Sequence, residues 1–450
     1  MELRREVDRF FTEMRARKLE KENKKQWKAR ELSKLRKRER QKNFGKSSKI
    51  ISMLAKSYTG KFYKERDFLR LVVPETFSII ESPETVIGTI GQFAKSIREQ
   101  RPRNIYLEQN ALKIYDLAAN GLLDVVAVEL EKETKQSRRK TRWRGGFPDD
   151  SNVKRFIKAL GITKHLGLDD RYPVDDAIKP LRVFDRRNRH YYSGLRPEKA
   201  DFKTKVVVDF ADHINSCLGS NNLELTNEAL HKLCSYTSEI IDNAEEHAGM
   251  LDWSIQGYLD TNTEVPFCEI AIFNFGETIS ESLSKLPKES YTWLQISPYL
   301  HQHKKKSLFG PSWSETDLLT VIALQGGVSR ENTTVESTRG NGTIDLIEFF
   351  QLVHKECTAD EHVSVGAKMA ILSGSTHILF DGTYQLIEEI VGEKAIKRVT
   401  FNTENSLESL PDPKYVRRLK GIHFPGTIIS IRFPMGKGST VNRGDKNDSK

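Results

Sequence analysis

Hydrophobic and polar positions along the chain fall into three regimes. Over residues 1–45 the apolar side chains Leu3, Val7, Phe10, Phe11, Met14, Leu19, Trp27, Leu32 and Leu35 are sparse and irregular among Arg, Lys, Glu and Gln, and no Gly or Pro precedes Gly45. Strong helix formers without an apolar stripe predict a solvated helix. From Phe68 the pattern turns globular. The apolar runs 69–73 and 77–80 predict strands, 84–99 a helix, 104–107 a strand, and 111–120 a second helix leading into 122–130. Such alternation predicts a small α/β domain. Residues 131–150, polar and broken by Gly145, Gly146 and Pro148, predict an exposed loop, and the irregular charged stretch 170–200 predicts a connection.

The third regime, 205–435, carries four separated patterns. Leu230, Leu233, Cys234, Ile240 and Ile241 recur at helical spacing, so Glu239, Asn243 and His247, each four apart, share one face of one helix. A carboxylate there can polarise an attacking water, and a neutral amide oxygen can hold Mg²⁺ against phosphates without adding repulsion. Taken alone, the same face also fits the polar side of an amphipathic helix. Next comes an apolar run, 268–273, meeting Asn274, Phe275, Gly276, Glu277 and Thr278, which predicts a buried strand and a tight turn. Then the apolar stretch 318–324 is broken by Gln325, Gly326 and Gly327. Beyond it Arg339, Gly340, Asn341, Gly342 and Thr343 open an apolar helix over 344–353. Glycines opening a helix expose backbone N–H groups where the helix dipole favours phosphate. Last, Gly426 and Thr427 precede a strand over 428–433.

These patterns, in this order, resemble the GHKL superfamily (gyrase, heat-shock chaperone, histidine kinase, MutL), with spacing closest to its anti-sigma-factor kinase branch. Glu239 with Asn243 and His247 resembles the N-box; Asn274 to Thr278 resembles the adenine-binding Asp-x-Gly-x-Gly box, with Asn in place of the Asp and Thr in place of the second Gly. Arg339 to Thr343 resembles the second glycine box and lid. The resemblance implies ATP and Mg²⁺ as ligands, Glu239 as the catalytic base and Asn243 as the metal ligand. It further implies Asn274, Gly276 and Thr427 around adenine and Gly340 and Gly342 around the phosphates, with Thr278, Arg339, Asn341 and Thr343 also at the nucleotide; His247, one turn past Asn243, fits either a phosphate contact or packing. The run from Pro74 to Leu130 is similar to a STAS domain, although 107–117 contains none of that module's phosphorylatable Ser or Thr. The expected class is therefore α/β, an α+β sandwich. Its expected parts are a basic helical arm 1–50, a STAS-like domain 51–170, a linker 171–204, a GHKL-type domain 205–435 and a polar tail 436–450.

Charge changes the picture at one end. Of 72 Lys and Arg and 62 Asp and Glu, the first fifty residues hold 19 and 8 respectively, so the net +10 resides there. A solvated or packing helix and an electrostatic arm for nucleic acid both fit. A second basic run, Arg138, Arg139, Lys140, Arg142 and Arg144, surrounds Trp143 and is a nucleic-acid candidate beside the reading as an ordinary loop. Four dispersed cysteines without a CxxC pair, no apolar stretch of about 20 residues, and a start, MELRREVDRF, without an apolar centre predict a cytoplasmic protein with no membrane partner.

Absent parts narrow the function. His213 precedes Ile214 and His231 precedes Lys232, so neither resembles the phosphoacceptor of a sensor kinase, and the sixteen residues after Pro434 leave no room for a gyrase-type transducer. The leading expectation is an ATP-binding, ATP-hydrolysing regulatory protein of bacterial or phage-defence signalling. In it, a lid between about Ser280 and Thr338 closes on nucleotide and controls a protein partner, with a homodimer implied by the resemblance. A protein serine/threonine kinase and a nucleic-acid-binding protein with a nucleotide sensor are the alternatives.

Overall fold

The structure is a computed structural model describing residues 48–60, 68–136, 141–162, 181–187, 199–219, 223–242, 253–260, 267–306, 314–326, 328, 342–358, 366–391, 394–434 and 441–442. The basic arm before Ser48, Arg138, Arg139, Lys140, Asn243, His247, Arg339, Gly340 and Asn341 lie outside the described residues. So does the polar tail except 441–442.

The first helix, α1 (Lys49–Ser57), starts where the Ser48 hydroxyl accepts the Ile51 N–H, and it buries Ile50, Ile51, Leu54 and Ala55. It is followed by β1 (Phe68–Val72), β2 (Thr76–Phe77), α2 (Pro83–Gln100), β3 (Asn104–Glu108), β4 (Ile114–Tyr115), α3 (Leu117–Gln136), β5 (Arg142–Gly146) and α4 (Ser151–Leu160). β1, β3 and β5 form a parallel sheet in that order, α2 and α3 making the crossovers, and β2 pairs with β4.

Three sequence expectations change here. Only Phe77 of 77–80 is in a strand; the rest is a buried turn around Asp116, whose carboxylate accepts from the Ser78 hydroxyl at 2.7 Å and the Ile80 N–H at 3.1 Å. The second helix begins at Leu117 and not at 111, because Asp116 accepts the Ala119 N–H at 2.8 Å in the manner of an N-cap, while 111–116 form a turn and β4. Residues 131–150 are not a loop: 131–136 continue α3 and Arg142–Gly146 is β5. Trp143 faces inward, its ring edge-on to Phe93 at 6.2 Å and its indole N–H donated to Glu131 at 3.0 Å.

The remaining strands are β6 (Leu181–Arg187), β7 (Leu223–Glu224), β8 (Trp253–Asp260), β9 (Phe267–Phe275), β10 (Lys368–Gly374), β11 (Thr376–Phe380), β12 (Ile387–Val391), β13 (Lys394–Arg398), β14 (Val416–Arg418), β15 (Phe424–Pro434) and β16 (Val441–Asn442). Seven of them make an antiparallel sheet in the order β14-β11-β10-β15-β9-β8-β6. Its edge strand β6 lies within the segment read from sequence as a linker. The helices between are α5 (Lys199–Gly219), α6 (Asn227–Asp242), α7 (Ile279–Ser284), α8 (Tyr291–Lys306), α9 (Glu315–Ile322) and α10 (Gly342–Thr358).

Side chains alternate across β9, and both faces are buried. Ile270 and Ile272 join a core built with α5, α6 and α10, which includes Phe210, Leu233, Phe349 and Phe350. Ala271, Phe273 and Phe275 join the core of α1 to α4, where Phe156 meets Tyr258 edge-on at 4.8 Å. Gly121 permits this close approach: a Cβ there would stand 2.2 Å from Gln256 Oε1 and 3.2 Å from the Phe273 ring. No described helix is long and apolar enough to cross a membrane.

Candidate functional site

Two places gather the residues singled out by sequence. The first is the end of the large sheet where β9 stops and β15 begins. Antiparallel register sets Asn274 opposite Thr427 on one side and Trp253 on the other, and the Asn274 Oδ1 accepts the Thr427 N–H at 3.1 Å. Gly276 has φ 129° and donates its N–H to the Pro425 carbonyl at 3.0 Å, while Gly426 has φ 143°. Both conformations belong to glycine.

Thr278 caps α7: its hydroxyl accepts the Glu281 N–H and the Glu281 carboxylate accepts the Thr278 N–H at 2.9 Å, a reciprocal capping box. Ser373, at the end of β10, closes the group. Its hydroxyl accepts the Ile279 N–H at 2.9 Å and lies 2.9 Å from Thr427 Oγ1. Asn274, Gly276, Thr278 and Thr427 are thus brought together, and Ser373 and Gly374 (φ 62°) join them. Sequence reading passed over these two, whose signal is a Ser-Gly break between two apolar strands. The bond from Thr427 occupies one lone pair of the Asn274 amide oxygen and leaves a second.

The second place is the contact of α6 with α10. Lys232 pairs with Glu348 at 3.0 Å and the Ser235 hydroxyl donates to Asp345 at 2.8 Å. Rising numbers on α6 therefore meet falling numbers on α10, so the helices run antiparallel. One further turn sets Glu239 level with Gly342, at the N-terminal end of α10 where Thr343 also lies. Lys397 also pairs with Glu348. Burial works to raise the Glu348 carboxyl, but Lys397 and Lys232 outweigh it and hold the group below its ordinary range. Asn243 and His247, which follow Glu239 in sequence, lie outside the described residues.

A third cluster was not anticipated. Glu269 accepts the Leu117 N–H at 2.8 Å and the Arg432 Nε at 2.8 Å, and Arg432 Nη2 reaches the Tyr115 carbonyl at 2.5 Å. Burial pushes the Asp116 and Glu269 carboxyls above their ordinary range, and the hydrogen bonds Asp116 accepts, with Arg432 beside Glu269, only partly counter it. A cavity of about 230 Å³, lined by Lys113, Ile114, Tyr115, Tyr258, Phe267, Glu269 and Arg432, opens beside this cluster. It lies at the opposite end of β9 from Asn274. The sequence signal is a charge inside an apolar strand, at Glu269 and again at Arg432. Arg142 and Arg144 lie on β5, in neither gathering.

Comparisons with protein-family models, with curated proteins and with solved structures found no match to this chain.

Proposed function

We propose that the C-terminal half is an ATP-binding, Mg²⁺-dependent ATP-hydrolysing module of GHKL type that regulates a protein partner. The supporting observation is the antiparallel register of α6 and α10, which brings Glu239 and the glycine-initiated N-terminus of α10 to one level. A helix N-terminus favours phosphate, and a carboxylate at that level would orient water toward the terminal phosphoryl group. Asn243, four positions after Glu239 in sequence, would hold the metal. Asn274 and Thr427 would meet the base, the spare lone pair and the amide donor of Asn274 replacing the family's carboxylate.

The test is Mg²⁺-dependent ATP binding and release of labelled γ-phosphate by the full chain beside Glu239→Ala. The expected result is retained ATP binding with turnover reduced by about 10²–10⁴-fold, the usual contribution of a positioned base. ATP binding absent from the unaltered chain, or turnover unchanged in Glu239→Ala, overturns the reading. Label appearing on a partner protein in place of free phosphate would assign a protein kinase instead.

A further inference from the structure

Parallel sheets are ordinarily covered on both faces. Among the described residues, the sheet of β1, β3 and β5 is covered on one. Leu69, Leu71, Ile105 and Leu107 are buried, with Trp143 packed against their core, whereas the opposite positions form three rows across the strands. The rows are Phe68, Asn104 and Arg142; then Arg70, Tyr106 and Arg144; then Val72, Glu108 and Gly146. Phe68 is 38% exposed and Val72 51%, Arg142 and Arg144 are exposed, and Tyr106 is half-buried. Glu108, the one carboxylate in these rows, pairs with Arg70, its Oε2 accepting from Nε at 2.7 Å. Arg142 and Arg144 have no carboxylate partner among the described residues.

We propose that this open face binds single-stranded nucleic acid, with bases stacking on Phe68 and Tyr106 and phosphates meeting Arg142 and Arg144. Three guanidinium groups against one carboxylate select an anionic occupant, and two aromatic rings in adjacent rows give it planes to stack on. A second copy docked face to face would add the same excess of guanidinium groups over carboxylate and leave it uncompensated. A duplex keeps its bases stacked inside and offers the rings nothing. The inference is independent of the ATP reading, since it concerns another sheet and other residues.

The experiment is fluorescence anisotropy on the full chain with a labelled single strand of about 20 nucleotides and the matching duplex, over roughly 0.05–0.3 M salt. Arg142→Glu with Arg144→Glu is expected to raise Kd at least about tenfold and to lower the salt slope by about 1.4, near 0.7 for each phosphate no longer neutralised. Phe68→Leu with Tyr106→Leu, which keeps apolar volume, is expected to raise Kd about tenfold without changing that slope. Arg142→Lys with Arg144→Lys is expected to keep most of the affinity, which separates an effect of charge from an effect on folding. Binding unchanged in the Glu and Leu variants, as it would be if residues 1–50 held the strand alone, overturns the proposal. No binding, equal binding of duplex, or displacement by polyglutamate as readily as by unlabelled strand overturns it as well, the last assigning an acidic protein.

Discussion

Gly426 shows how one residue ties the candidate nucleotide end together. Its φ of 143° is closed to side-chain-bearing residues, and a Cβ there would stand 2.1 Å from the Asn274 carbonyl, in the strand beside it. Because that neighbour is backbone, no side chain can swing aside to relieve the contact. Gly426→Ala is therefore expected to cost about 3 kcal/mol, the sum of backbone strain and overpacking. Urea unfolding reads it as a lowered midpoint at constant slope; a midpoint within error of the unaltered chain would mean that β15 can shift, and that Asn274 and Thr427 are not held in fixed register. The sequence reveals Gly426 as a turn glycine. It does not reveal the carbonyl opposite, because that proximity arises only when β9 and β15 pair across the sheet.

At the scale of elements, the N-terminus of α3 is seated on the large sheet by charge. Asp116 and Glu269 both accept N–H groups of its first turn, and Arg432 is the cation between them, its side chain 25% exposed. Removing the cation leaves two buried carboxylates facing each other. Arg432→Met is expected to destabilise by roughly 3 kcal/mol at pH 7, the lower end for a broken buried pair because some solvent reaches the guanidinium. The sign of the pH dependence follows from the raised carboxyls. The folded chain binds these protons more readily than the unfolded chain, so their contribution is complete below the ordinary carboxylate range and is lost as pH rises through the raised folded values. The penalty of Arg432→Met should shrink when denaturant midpoints at pH 7 are compared with those at a lower pH, because protonation relieves the repulsion as pH falls. An equal penalty at both pH values would assign the loss to packing. α2 is legible because Val86, Ile87, Ile90, Phe93, Ala94 and Ile97 recur at helical spacing, and β9 because a run of apolar residues interrupted at Glu269 leads into a glycine turn. β5 is not: on a three-stranded sheet with one open face, its run RWRGG turns only Trp143 inward, so no alternation of apolar residues announces it. β6, at the edge of the large sheet, is hidden by the charges of LRVFDRR in the same way. The run 77–80 misleads for the opposite reason, since its apolar side chains are buried by a turn that Asp116 organises and not by a ladder.

For the whole molecule, the decisive feature is that one core crosses from the α/β part into the face of the large sheet. Phe273, Phe275, Leu372 and Ile428 belong to the same cluster as Ile90, Leu122 and Phe156. Polar joints follow the same seam: the buried His377 imidazole, whose burial lowers it to about 3 and keeps it neutral, donates from Nε2 to the Ile79 carbonyl at 3.1 Å. Lys368 pairs with Glu81 at 2.8 Å and Arg417 with Glu84 at 3.6 Å. Charge and apolar period divide the sequence into an arm and two folded parts, but they cannot register a seam whose members lie hundreds of positions apart. Exposing the inner face of α3 would strip Ala271, Phe273 and Phe275 of their cover, so neither part can lose structure at constant stability of the other. The chain is therefore expected to unfold between these parts in one cooperative transition. Variants keeping only Trp143, in the α/β sheet, or only Trp253, in the large sheet, report each side by fluorescence in urea. Coincident midpoints are the expected outcome, and the two curves should move together when Phe156→Ala opens a cavity at the seam, a change worth about 3–5 kcal/mol. Two separated midpoints, with only the Trp143 signal displaced by that substitution, would show that the sheet holds its fold without the α/β part and that the seam is an ordinary docking contact.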